Sequence, residues 1–179
     1  MKKQLLKSVS FVFLFILVLT SHLLSETILI SDKTKVIDGD TIVVEKKKIR
    51  FSGIDAPETN FKGKKQFCLK NNEKINCGEI SKASLINKIK DKKIRCFIEI
   101  NKDYFGRYLG ECFINSESIS TYMVRNGYAF DYPKYSKKKY FKDQIYAKNN
   151  KLGLWSMQFD YPWIWRKNNR SLILKCDSF

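Results

Sequence analysis

The segment that decides the fold is KVIDGDTIVVEKKKIRFSGIDAPET, Lys35 to Thr59. Apolar residues alternate through Thr41 to Glu45 (TIVVE) and Lys48 to Ile54 (KIRFSGI), the period of strands with one buried face, which predicts a hairpin around Lys46 and Lys47. Asp38-Gly39 is a tight-turn pair, and Pro57 fixes its φ and ends the second strand. Asp38, Asp40, Asp55, Glu58 and Arg50 therefore fall at strand ends and turns. Asp40 and Asp55 project from adjacent strand termini, and two hard carboxylates so placed can hold a cation. Plainer readings compete: Asp38 as a turn former, Asp40 and Asp55 as turn carboxylates, Arg50 as a surface partner of Glu45.

Upstream, Thr27 to Ser31 and Lys33 to Ile37 are short β-like runs leading into the turn. Downstream, Thr59 to Lys74 is polar, Lys-rich and loop-like. Gly78 to Lys90 places Ile80, Ala83, Ile86 and Ile89 at helical spacing. Ile94 to Ile100 (IRCFIEI) alternates and pairs with Tyr108 to Ile114 (YLGECFI) across the loop Lys102 to Gly106. Ser116 to Asn126 predicts a helix with Ile119, Tyr122 and Met123 on one face and Gly127 as its stop. Lys137 to Leu152 predicts another, with Phe141, Ile145 and Leu152 inward and Gly153 as its stop. Roughly five strands and about three helices make an α+β domain, a small, partly open barrel covered by helices. The aromatic residues Trp155, Phe159, Tyr161, Trp163 and Trp165 are expected to plug the domain rather than stack on bases.

The chain has 179 residues, which suits one domain. Residues 1–25 have a basic start (Lys2, Lys3, Lys7), an apolar run from Phe11 to Leu19, and the small residues Ser21 and Ser25. This pattern predicts an export signal and a periplasmic or secreted protein, with an uncleaved N-terminal anchor as the alternative. The expected domain is 26–170, followed by a tail at 171–179. Removing the signal takes away three lysines and no acid, leaving 31 basic against 18 acidic residues, a charge of +13. Such an excess favours a polyanionic partner, although lysine spread over the whole surface would read the same way.

His22, the one histidine, lies in the expected signal. The remainder therefore cannot build a Ser-His-Asp or Cys-His site or His-ligated zinc. Carboxylates, arginines, tyrosines and a hard metal are left to do chemistry. Among five cysteines, Cys68 and Cys77 bracket a polar loop without C-x-x-C character, so a loop-closing disulfide is expected. Cys96 and Cys112 are symmetric about Tyr104, the middle of a hairpin loop, and face each other closely enough to bridge. Cys176 is left over.

Five segments, DGDT at 38–41, IRFSGIDAPET at 49–59, DYFGRYLG at 103–110, VRNGYA at 124–129 and LGLW at 152–155, resemble in order and spacing the staphylococcal nuclease (thermonuclease) family. The loop between Cys68 and Cys77 and the late PWIWR are similar to its secreted, cysteine-containing bacterial branch. The resemblance implies a five-stranded OB-fold β-barrel with helices and Ca²⁺-dependent hydrolysis of phosphodiester bonds in DNA and RNA. It implies that Asp40, Asp55 and the carbonyl of Ala56 ligate Ca²⁺. It also implies that Glu58 positions or deprotonates the attacking water, that Arg50 and Arg107 contact the phosphate, and that Tyr132 and Tyr135 flank the nucleotide. Tyr104 and Phe105 stand where the type member carries a lysine and a tyrosine. A monomer without an obligate protein partner is expected, touching a membrane only through an uncleaved N-terminus. The alternative is a catalytically silent OB-fold that binds single-stranded nucleic acid.

Overall fold

The computed structural model describes residues 27–176, the last six by backbone alone. The expected export signal, the Cys176 side chain and the end of the tail lie outside the described residues. Among the described residues eleven strands form: β1 Thr27–Ser31, β2 Thr34–Asp38, β3 Thr41–Val44, β4 Lys47–Phe51, β5 Ile54–Asp55, β6 Phe67–Lys70, β7 Glu73–Asn76, β8 Ile94–Lys102, β9 Tyr108–Ile114, β10 Glu117–Ser118 and β11 Phe130–Asp131. The helices are α1 Cys77–Ile89, α2 Ile119–Arg125, the single turn α3 Pro133–Ser136, α4 Phe141–Asn149 and α5 Pro162–Cys176, with a 3₁₀ turn at Gly153–Ser156.

The main sheet runs β1-β8-β9-β4-β3-β2, and β10 pairs with β9. Its outermost strands, β1 and β2, are separated by only Asp32 and Lys33. A linker that short spans at most about 10 Å, so the two sheet edges must curl toward each other into a nearly closed barrel. This is the expected α+β OB-fold with helices. The two upstream runs form as two strands, β1 and β2, on opposite edges of the sheet. The β4–β9 pair is parallel, with Arg50 opposite Leu109. It lays the start of β9 along β4, near enough for Arg107 to act on the Arg50 charge.

Local chemistry explains the elements. Glu45 and Lys46 both take positive φ (48° and 65°) between the paired residues Val44 and Lys47, the two-residue turn of a tight hairpin. The hairpin therefore turns one residue earlier than expected. Asn71 and Asn72 do the same (52° and 65°), and the supposed loop before Lys74 contains the β6–β7 hairpin. Asparagine tolerates this conformation, but both strands are largely exposed and show no apolar alternation. The Cys68–Cys77 and Cys96–Cys112 disulfides form as expected, the latter across directly paired residues of β8 and β9.

Ile42, Val44, Ile49, Phe51, Leu85, Ile94, Ile98, Ile119 and Met123 fill the barrel core. In α4 the expected inward face is wrong: Phe141 and Ile145 are exposed, and the buried stripe is Tyr140 and Ala147, with Gln144 between them bonding the Asp131 amide. Left-handed Lys137 and Lys138 delay the helix to Phe141, which shifts its phase. The tail aromatics do pack: Trp155, Phe159 and Tyr161 surround buried Phe130. Helix α5 continues across residue 170 without a break.

Candidate active site

The site forms at the barrel rim, where the turn after β2, the end of β4, β5 and the following loop converge. Asp40 is buried; its Oδ1 accepts the Thr41 hydroxyl (2.9 Å) and its Oδ2 the Ala56 amide (2.8 Å). Asp55 is fully buried because its neighbour in the β5–β11 pair is Phe130, the centre of the aromatic cluster. Between the two carboxylates sits Arg50. Its Nη1 pairs with Asp40 Oδ2, and its Nη2 donates to Asp55 Oδ1 (2.7 Å) and the Ile54 carbonyl (3.1 Å). One guanidinium thus spans both acids, and the surface pair with Glu45 does not form.

Glu58 is fixed by its backbone. The Gln66 side-chain oxygen accepts its amide (3.1 Å), and its carbonyl accepts the Gln66 amide (3.1 Å). Gly78, in the first turn of α1, lies so close that a Cβ there would be 2.3 Å from the Glu58 carbonyl oxygen; only glycine lets the helix lie against this loop. Gly39 is similarly crowded, its would-be Cβ 2.0 Å from Ser81 Oγ, which packs the DGDT turn on α1.

Sequence reading missed one site residue. Arg166, from α5, donates to Asp55 Oδ1 (3.1 Å) and Oδ2 (2.7 Å) and to Glu58 Oε1 (2.5 Å). The available signal was an arginine kept within PWIWR in a chain whose other cations are mostly lysine.

Electrostatics tie the groups together. Burial lowers the Arg50 pKa; Asp55 opposes that, while Arg107 and Arg166 add to it. Burial also works against the Arg166 charge, but Asp55 and Glu58 more than offset it and raise its pKa. Asp38 is pushed up to about 7, first by burial and then by the nearby Glu58 charge. Its Oδ1 accepts the Gly39 amide (2.9 Å), so it is a turn former and also part of a crowded group of acids.

Arg107 is near enough to Arg50 to act on it, yet its side chain is bonded to Asp103 (2.7 and 2.8 Å), capping its own hairpin. Tyr132 is placed beside the rim by its amide bond to the Gly53 carbonyl (2.9 Å). Its ring stacks on Trp163 (4.9 Å, 4°), with Tyr135 edge-on (4.9 Å) and Tyr135 itself exposed. Tyr132 therefore packs on the tail, and Tyr135 packs on Tyr132.

Among the described residues no group of three or more His, Cys, Asp or Glu side chains is gathered to hold a metal. The expected donor set does not call for one, since it is two carboxylates and a backbone carbonyl. Asp40 and Asp55 lie within the span of one guanidinium, both offer hard oxygens, and the Ala56 peptide is bonded to Asp40. Two hard carboxylates are the donor chemistry that Ca²⁺ takes, and here Arg50 and Arg166 hold their oxygens.

The fold and rim define an OB-fold domain with buried carboxylates and guanidiniums gathered at one edge of its barrel. The family model described as staphylococcal nuclease homologue matches residues 48–157, and the chain belongs to that family. It is 31% identical over 134 residues to a probable staphylococcal-like nuclease of Oryza sativa subsp. japonica, covering 74% of this chain and 32% of the relative. It is 28% identical over 134 residues to a staphylococcal-like nuclease of Arabidopsis thaliana, covering 74% and 37%. A succinoglycan biosynthesis protein of Rhizobium meliloti (strain 1021) is 30% identical over 129 residues, covering 70% and 64%. The chain thus spans about a third of the length of the plant relatives it matches.

Proposed function

We propose that the chain is an exported, Ca²⁺-dependent nuclease that hydrolyses phosphodiester bonds in DNA, RNA or both. The observation that carries this reading is the Arg50 guanidinium set between Asp40 and Asp55, with Glu58 joined to Asp55 through Arg166. Two carboxylates suited to a cation, a candidate base and the guanidiniums of Arg50 and Arg166 meet in one place, with Arg107 near Arg50.

Phosphodiester hydrolysis builds negative charge on the non-bridging oxygens as water attacks. Ca²⁺ held by Asp40, Asp55 and the Ala56 carbonyl would neutralise part of that charge. Glu58, only partly exposed and gripped by backbone bonds, is held to accept a proton from water. Arg50 and Arg107 supply hydrogen bonds that strengthen as charge develops, each worth about 3 kcal/mol when well aimed. Both must exchange partners for a phosphate, Arg50 giving up Asp40 and Asp55 and Arg107 giving up Asp103. The N-terminal pattern supports export, and the net charge of +16 supports a polyanionic substrate.

Digestion of a labelled single- or double-stranded oligonucleotide is expected with calcium and should stop with EDTA. Glu58→Gln or Arg107→Ala should slow it by about 10²-fold or more. A wild-type protein inert with every divalent ion tried, yet binding single strands equally well with and without these substitutions, would leave the silent OB-fold standing instead.

A further inference from the structure

An aromatic plug needs no arginine, yet the tail delivers one to the two carboxylates on which the proposed chemistry depends. Three anchors lead to it. Leu69 of β6 exchanges backbone hydrogen bonds with Gln158 (2.9 Å each). Gln66, fully buried, accepts the Glu58 amide and donates to the Asp160 carbonyl (2.8 Å), so one side-chain amide joins the Glu58 loop to the tail. Tyr161 then stacks on Trp163 (4.6 Å, 15°), which stacks on Tyr132. Arg166 follows Trp163 by three residues, close to one helical turn, and its guanidinium spans Asp55 and Glu58, which belong to different segments.

A planar guanidinium bidentate to one carboxylate and bonded to a second fixes their relative orientation, which a lysine cannot do. Its charge also opposes any cation brought to Asp55. We propose that Arg166 is a positioning residue: it orients Glu58 against Asp55 for the reaction, and its charge holds down the affinity of the site for a divalent cation. This rests on the nuclease reading, and it predicts effects of opposite sign from one substitution.

The test is calcium titration of the full chain by calorimetry, beside steady-state cleavage and thermal melts, for wild type, Arg166→Ala, Arg166→Gln and Arg166→Lys. The alanine and glutamine variants should bind calcium at least about tenfold more tightly. They should nevertheless lose about 10²-fold in kcat, with KM changed by less than about threefold. Lysine should restore wild-type calcium affinity and leave kcat low. A purely structural tail contact predicts instead a lowered Tm with calcium affinity unchanged or weaker, and that result overturns the inference. A wild type that binds no divalent ion overturns the nuclease reading and this inference together. A wild type that binds calcium but is matched by Arg166→Ala overturns the inference alone.

Discussion

Replacing Arg50 with leucine should both destabilise the protein and make its stability depend on calcium. Arg50 is 12% exposed in its side chain and makes an ion pair to Asp40, an ion pair to Asp55 and a bond to the Ile54 carbonyl. Leucine removes one side of a buried pair and leaves the acids behind, a change that costs about 3–5 kcal/mol. The lower end applies, because Arg166 keeps Asp55 paired and the main loss falls on Asp40. About 3 kcal/mol in a domain of this size lowers Tm by about 6–12 °C. Calcium at a hundred times its Kd should return about 2.7 kcal/mol, since the cation then supplies the missing positive charge. The assay is a thermal melt by circular dichroism in EDTA and in a calcium series, with wild type alongside. If the variant melts within about 2 °C of wild type in EDTA, the guanidinium does not hold the rim together and the reasoning fails. If it is destabilised but calcium does not narrow the gap, the two acids are not cation ligands.

Asp38 gives a pH signature. Its pKa is raised from 3.8 to about 7, so the protonated acid favours the folded state; that stability is present below pH about 4 and is lost as pH rises through about 7. In EDTA the unfolding free energy of wild type, from urea melts, should therefore fall between pH 5 and 8 by about 2–3 kcal/mol more than that of Asp38→Asn, and equal slopes would remove Asp38 as the cause. Converting Cys68 and Cys77 to serine opens a loop with a sequence separation of 9 and should cost about 2.5–3 kcal/mol on the chain-entropy model. Because β6 holds the tail through Gln158, hydrogen exchange should rise in 158–166 as well as in 66–77; protection unchanged in the tail would break that link.

Much of the site was legible because turn and strand chemistry acts locally. An Asp-Gly pair, a proline at 57 and two alternating runs place Asp40, Arg50, Asp55 and Glu58 at strand ends without tertiary knowledge. Cys96 and Cys112 were predictable for the same reason: a hairpin pairs residues symmetric about its loop. Where the periodic signal was weak, reading failed. The β6–β7 strands are exposed, so alternation gave no sign of them, and α4 started later than its apolar residues suggested, turning Phe141 and Ile145 outward.

The sequence by itself determined the barrel, the class of chemistry open to a chain whose single histidine lies in its first 25 residues, and the acids that sit at the rim. Only the tertiary structure decided which cation meets which acid. Arg107 turned to Asp103, four residues away, whereas Arg166 reached Asp55 across a separation of 111. Pairing over such a distance depends on how helix, disulfide hairpin and aromatic stack pack against one another, and no local propensity encodes it.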